Sequence, residues 1–344
     1  MKYLTNEAKE RKKKNKNSKT FLLKIFLMLT MLEASINSEI HLVIQGSGPQ
    51  KLLGDDYSGV KPSEVLVNVV RDDSCSKTCY LEGDKNNITL KFDTQIKSCY
   101  CMFYFVENII EIDLSNFDAS KVTYTGFMFN GCSNLEKVEF GNINTSSLEN
   151  IHAMFKCCSK LKSVDFSNFD TSKVTDMGGI FNLCSNLEKV KFGNINTSSV
   201  EKMDYLFYNC SALISIDLSK FETSKVIDIE KMFSGCSSLI YLNLKSFKLK
   251  NTVKKDNAFP GRSSNVKYCI EDIETKNFLT EIESECSNDC FKENIIIDIE
   301  NKICIFPCGK NGYNYKYKEK CYTECPNGTY YKFIDGSNSE ENTI

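Results

Sequence analysis

Six phenylalanines, Phe103, Phe129, Phe155, Phe181, Phe207 and Phe233, stand 26 residues apart. Three places after each comes Val106, then Cys132, Cys158, Cys184, Cys210 and Cys236. Three further on is Ile109, then Leu135, Leu161, Leu187, Leu213 and Leu239. Further apolar columns run through Ile112, Val138, Val164, Val190, Ile216 and Leu242, and through Leu114, Phe140, Phe166, Phe192, Leu218 and Leu244. Six copies keep one register without an insertion. A unit this short cannot bury an apolar face alone, so the copies must lie against one another and share a core.

A longer period is superimposed. NLEKVEFGNINTSS (134–147) returns as NLEKVKFGNINTSS (186–199), 52 residues later. The intervening copies read DLSNFDASKVT (113–123) and DFSNFDTSKVT (165–175). A two-copy block has been duplicated. Within each unit, Leu135-x-x-Val138-x-Phe140-x-x-Ile143 has the spacing of a leucine-rich repeat, a short strand and then a turn. The stretch from Thr175 to Cys184 reads as a short helix or 3-10 piece returning on the far side, with Asp or Thr as its N-cap. The predicted fold class is therefore an α/β repeat solenoid. It is a leucine-rich-repeat ladder of 26-residue units (strand plus short helix/3-10), with a β-rich N-terminal cap and a small disulfide-rich C-terminal module.

Four segments follow. Residues 1–38 read as a signal peptide: eight Lys and Arg between Lys2 and Lys19, the apolar run FLLKIFLMLTML (21–32), and small residues at Ala34, Ser35 and Ser38. Residues 39–101 break the period. Their alternating segments Ile40–Ile44, Glu64–Val70 and Asn87–Phe92 are predicted strands of the cap. The repeats occupy 102–259. Residues 260–344 form a cysteine-rich module.

The 17 cysteines fall into three groups. In the repeats, one column of five is predicted to be a stack of small buried hydrophobes, with Cys157 beside it on the other side of the backbone, either a free exposed thiol or a partner for another chain. In the flanks, disulfides are expected. The candidates are Cys75, Cys79, Cys99 and Cys101 in the cap and Cys286, Cys290, Cys304, Cys308, Cys321 and Cys325 at the end, with Cys269 unmatched. Five sequons make Asn87, Asn144, Asn196, Asn209 and Asn327 glycosylation candidates.

MFKCCSKLKSVDFSNFDTSKVTDM (154–177) and its copies resemble the BspA-like leucine-rich-repeat surface proteins of bacteria and protists. CYTECPNGTYY (321–331) looks like the cysteine-rich growth-factor-receptor-type segments of secreted eukaryotic proteins. The resemblance covers residues 102–250 and implies a secreted or cell-surface protein of a protist that binds proteins or cells, adhesin-like, with no enzyme activity and no cofactor.

The remaining chemistry agrees with that class. Net charge is −2, with 43 basic and 45 acidic residues, so nucleic acid is not an expected partner. The chain has two histidines, His41 and His152, neither in a plausible catalytic constellation, and no phosphate or dinucleotide fingerprint. No metal site is expected. No transmembrane span is expected once the signal is removed. The expected ligand is a protein or cell surface held on the concave strand face. There the outward column is Asp113, Glu139, Asp165, Lys191, Asp217 and Asn243, with Tyr241 beside it. The alternative is a structural surface-coat or matrix component that self-associates.

Overall fold

The computed structural model describes residues 38–239, 241–259 and 266–279, and the backbone of four short strands beyond them. The signal segment lies outside the described residues. Ser38 is already the first residue of strand β1 (Ser38–Gln45), buried, and its hydroxyl accepts the Asp118 N–H.

The cap alternates as its sequence does. Ile40, Leu42 and Ile44 of β1 point inward, as do Ile88, Leu90 and Phe92 of β6 (Lys85–Phe92), the antiparallel neighbour. β3 (Glu64–Val67) and β4 (Val70–Arg71) continue the sheet beyond β6. β2 (Gly48–Lys51) and β5 (Thr78–Leu81) form a separate pair. On its other side β1 pairs with β7 (Ile109–Asp113), the strand of the first copy, placing Leu42 beside Ile112. The cap thus covers the end of the stack by hydrogen-bonding to it.

The copies lie side by side in register. β8 (Lys137–Glu139), β9 (Ser163–Asp165), β10 (Lys189–Lys191), β11 (Ser215–Asp217) and β12 (Tyr241–Asn243) follow one another, each with its middle residue turned to the core. A further strand, β13 (Lys267–Cys269), pairs with β12 at the same offset. The register therefore runs past the boundary placed at residue 260, with Tyr268 and Ile270 in the columns of Val138 and Phe140. The short helix α1 (Ile273–Phe278) follows it, capped by Asp272.

Two features correct the expected α/β solenoid. The repeats contain no helix, and their strands, three residues in five of the six, pair into small separate sheets: β7 with β8, β9 with β10, and β11 with β12 and β13. Backbone bookkeeping explains the missing helix. On the returning side the N–H groups of Thr125, Phe127, Phe129 and Gly131 donate to Asn150, His152, Met154 and Lys156 of the next copy at 2.8–3.0 Å. The N–H groups between them close tight turns, as Met128 does to Thr125 and Asn130 to Phe127. Every second donor is spent on the neighbour, so no i→i−4 ladder can form. The alternation also forces left-handed backbone at two positions in each copy, occupied among others by Phe105, Phe127, Cys157, Leu183 and Tyr205. Such backbone costs a non-glycine residue about 1–2 kcal/mol.

The sheet breaks fall between the 52-residue blocks, and the two versions of the unit leave their strands differently. In the odd copies Asp113, Asp165 and Asp217 accept the N–H two residues on, at 2.8–2.9 Å, closing an Asx-turn. In the even copies Gly141 and Gly193 turn with φ of +55° and +56°. A Cβ on Gly141 would come within 2.6 Å of Ser115, and one on Gly193 within 2.6 Å of Ser167. The Asp-x-Ser turn and the glycine turn are built to nest.

Inside, the phenylalanine column stacks face to face from Phe103 to Phe259, with centroids 5.1–6.0 Å apart. A threonine column ties the second corner. Thr171 donates its hydroxyl to the Asn196 carbonyl and accepts the Asn196 N–H, and Thr197 does the same with Glu222. The cysteine column is buried, and each thiol donates to the phenylalanine carbonyl of the preceding copy at 3.0–3.1 Å, from Cys132 on Phe103 to Cys236 on Phe207. Those carbonyls also accept a turn N–H, so the thiol takes the second lone pair. Burial pushes all five thiols up, Cys236 to about 12.

The thiolate is the reactive form, so iodoacetamide on the native chain should leave these five unlabelled while half-exposed Cys157 reacts. Mass spectrometry before and after denaturant reads the difference; rapid native labelling of all five would refute the buried column. Cys184→Ala should cost about 1–2 kcal/mol, one small cavity plus one weak bond, read by denaturant melts.

Candidate interaction surface

Strand geometry puts the expected ligand residues on one exposed side. Asp113 sits in register with Glu139, Asp165 with Lys191, and Asp217 with Asn243. Glu139, Asp165, Lys191 and Asp217 are exposed; Asp113, Asn243 and Tyr241 are half-buried. Because the sheets break after β8 and β10, this front is three short segments rather than one sheet.

Part of its acidity has a local cause. Asp113, Asp165, Asp217 and Asn243 hold the turn that ends each strand, Asn243 through Lys245 N–H at 3.2 Å. Burial raises the Asp165 carboxyl, but its bonds to Ser167 and the charge of Lys191, 3.7 Å away, outweigh that and leave it below the usual range. Glu139 carries no turn and pairs with Lys137.

The sequence missed the cap's contribution. β6, β1, β7 and β8 lie side by side, and their outward residues line a shallow cleft of 190 Å³ that includes His41, Thr89, Glu111, Asp113, Lys137 and Glu139. His41 Nδ1 is 3.0 Å from the Thr89 hydroxyl, and Lys85 lies 3.3 Å from Glu111. The alternation of His41 with Leu42 was the signal that could have placed it here. Glu39 stands 3.6 Å from His41 Nε2, beyond hydrogen-bond length.

The cap cysteines divide. Cys75 and Cys79 form a disulfide. Cys99 and Cys101, expected to join them, are free and buried. Their places in the repeat explain why: Cys99 heads an inward column continued by Thr125, Ile151 and Met177, and Cys101 a left-handed turn column continued by Phe127 and Ala153. Cys269, expected to be unmatched, is disulfide-bonded. The side chains of Cys286, Cys290, Cys304, Cys308, Cys321 and Cys325 lie outside the described residues, as does Asn327. Asn87, Asn144 and Asn196 are exposed; Asn209 is half-buried, with its amide against Gly235.

The returning side carries a second group of charges. His152 Nδ1 is 3.2 Å from Asp176 Oδ1. Burial raises Asp176, but His152 and the Gly178 N–H hold it below the usual range. Asp204, half-buried nearby, is raised by burial and then by the charges of Asp228 and Asp176. Among the described residues no helix is long and apolar enough to cross a membrane.

The family model described as "Mycoplasma protein of unknown function, DUF285" matches residues 97–192 and, again, 158–272, together half of the chain. The second match ends just past β13. No curated protein matches the chain.

A carboxyl raised by folding is ionised at neutral pH at the expense of the native state, and that penalty fades as pH falls through its folded pKa. Asp204→Asn should therefore raise the melting temperature at pH 7, and the gain should shrink towards pH 4. A gain that is constant or grows in acid would remove the assigned cause.

Proposed function

We propose, from the premise that this chain belongs to the family described as Mycoplasma protein of unknown function, DUF285, that it is a BspA-like surface protein working outside the cell, where it binds other proteins or cell surfaces in the manner of an adhesin. One observation carries the reading: in-register stacking presents charged and polar side chains of every copy on one exposed front, and the cap sheet lengthens that front by a cleft at its end. A polar front with no deep enclosure among the described residues suits a macromolecular partner better than a small molecule. The clustered cysteines, the Cys75–Cys79 bond and the basic-then-apolar start support the secretory route.

The front also explains why the repeat tolerates variation where it does. In the six copies the inward position of the strand is Val, Ile or Leu, whereas the flanking outward positions range over Glu, Lys, Ser, Asp, Tyr and Asn. The core sets the inward choice, and the outward positions are left to the partner.

Protease treatment of intact producing cells should remove the chain from the pellet, or the chain should accumulate in the medium. Full protection inside a non-secretory compartment would overturn the reading. For the surface itself, the double variant Asp165→Asn, Asp217→Asn keeps the turn acceptor, as Asn243 shows, and removes two charges. Beads coated with that variant should adhere to the producing cells several-fold less than beads coated with the parent chain. Equal adhesion would move the site off this front.

A further inference from the structure

The aromatic residues fall into two populations. The phenylalanine columns recur in every copy and fill the core. Tyr100, Tyr104, Phe105, Tyr124 and Phe127 do not recur as a set; they gather on the returning side of the first two copies, away from the front. Tyr104 and Phe105 have centroids 4.7 Å apart, Tyr100 and Tyr124 5.5 Å, and Tyr100 and Phe127 6.0 Å, mostly edge to face. Phe105 is 47% exposed and Tyr100 44%.

The repeat supplies an internal control. If the fold required the full set of rings here, the later copies would carry it; the fifth has only Tyr205 and Tyr208, in the columns of Phe127 and Tyr104. The position of Phe105 is Gly131, Cys157, Leu183, Asn209 and Gly235 in the others, and that of Tyr100 is glycine, histidine, aspartate or glutamate. Phe105 and Phe127 also stand in left-handed backbone, φ +52° and +58°, which disfavours bulky residues. Exposed rings are thus kept where neither packing nor backbone asks for them. Two of them are also seated on glycine: a Cβ on Gly126 would lie 2.6 Å from the Tyr124 ring, and one on Gly131 2.9 Å from the Phe105 ring. Gly126 belongs to the same copy as Tyr124, and Gly131 to the copy after that of Phe105.

The border of this platform is acidic. Gly54 N–H donates to the Met102 carbonyl at 2.8 Å, which brings the loop of Asp56 beside the rings, and Asp176 stands in the same ladder of bridges as Tyr124, with Asn150 between them and one oxygen held by His152 and the Gly178 N–H. Exposed ring faces with carboxylates nearby match a planar cation, since the ring face attracts positive charge and guanidinium stacks on it while its N–H groups reach a carboxylate. We propose that Tyr100, Tyr104, Phe105, Tyr124 and Phe127, with Asp56 and Asp176, form a second binding site that takes arginine side chains of a partner protein. It lies apart from the front proposed above and does not depend on it.

The test is fluorescence anisotropy of a labelled octapeptide alternating arginine and glycine, titrated with the full chain, beside a peptide in which neutral citrulline replaces every arginine. Saturable binding is expected, at least tenfold weaker for the citrulline peptide. Tyr100→Ala with Phe105→Ala should weaken binding at least tenfold, and Asp56→Asn with Asp176→Asn several-fold. Tyr205→Ala, in an aromatic pair of a later copy, should leave it unchanged. Protection of the cysteine column from iodoacetamide reports that each variant is folded. Equal binding of the citrulline peptide, or full binding by the folded ring variants, overturns the site. So does loss in the carboxylate variants alone, which would be plain charge attraction, or preference for neutral pyranosides over the arginine peptide, which would make it a glycan platform. Asp165→Asn, Asp217→Asn should not alter this binding, so failure of either surface is read separately.

Discussion

The stacking of the repeats depends on how the backbone of the returning segment divides its N–H groups. Half of them cross to the next copy and half close turns within their own. That single division excludes a helix, fixes the 26-residue offset between neighbours, and throws two residues of each copy into left-handed backbone. It also brings the phenylalanines of successive copies face to face, because the N–H of each donates to the carbonyl just before the phenylalanine of the next copy, as Phe103 does to Met128. The ring stack does not position the copies by itself; it fills the space that the hydrogen bonds define.

The side-chain columns then finish what the backbone leaves undone. Where consecutive strands do not pair, between β8 and β9 and between β10 and β11, threonine hydroxyls and thiols still link one copy to the next. Thr145 bridges the first of these gaps and Thr197 the second, each as both donor and acceptor. The first copy has Ala119 at this position, and there β1 covers the copy from the other side instead. Cysteine suits its column because it is small, apolar and carries one weak donor, three properties that neither valine nor serine combines.

Much of this was written in the sequence, and the failures have causes. Register, inward columns and the buried cysteines follow from periodicity alone, because core positions tolerate few residue types. The helix did not form although Met-Phe-x-x-Cys-x-x-Leu spaces its apolar residues by three; tight turns repeated every few residues share that spacing, and only the inter-copy hydrogen bonds distinguish them. β13 was hidden because Tyr268 stands in for valine and Cys269 belongs to a disulfide, so neither looks like the repeat. The acidic front was visible as a column, but half of its reason, the Asx-turn that each aspartate closes, is a backbone fact. The aromatic platform was invisible because its members are scattered over 28 positions and are brought together by the 26-residue offset.

The direction of the inter-copy hydrogen bonds has a mechanical meaning. They point along the stack, from one copy to the next, rather than across it. A pull on the two ends would load these layers in series, so that one interface opens at a time and each opening lets out a fixed length of chain. A stack built this way lengthens in steps rather than all at once, and the odd-even blocks, joined by fewer strand hydrogen bonds than they contain, set where the first steps fall.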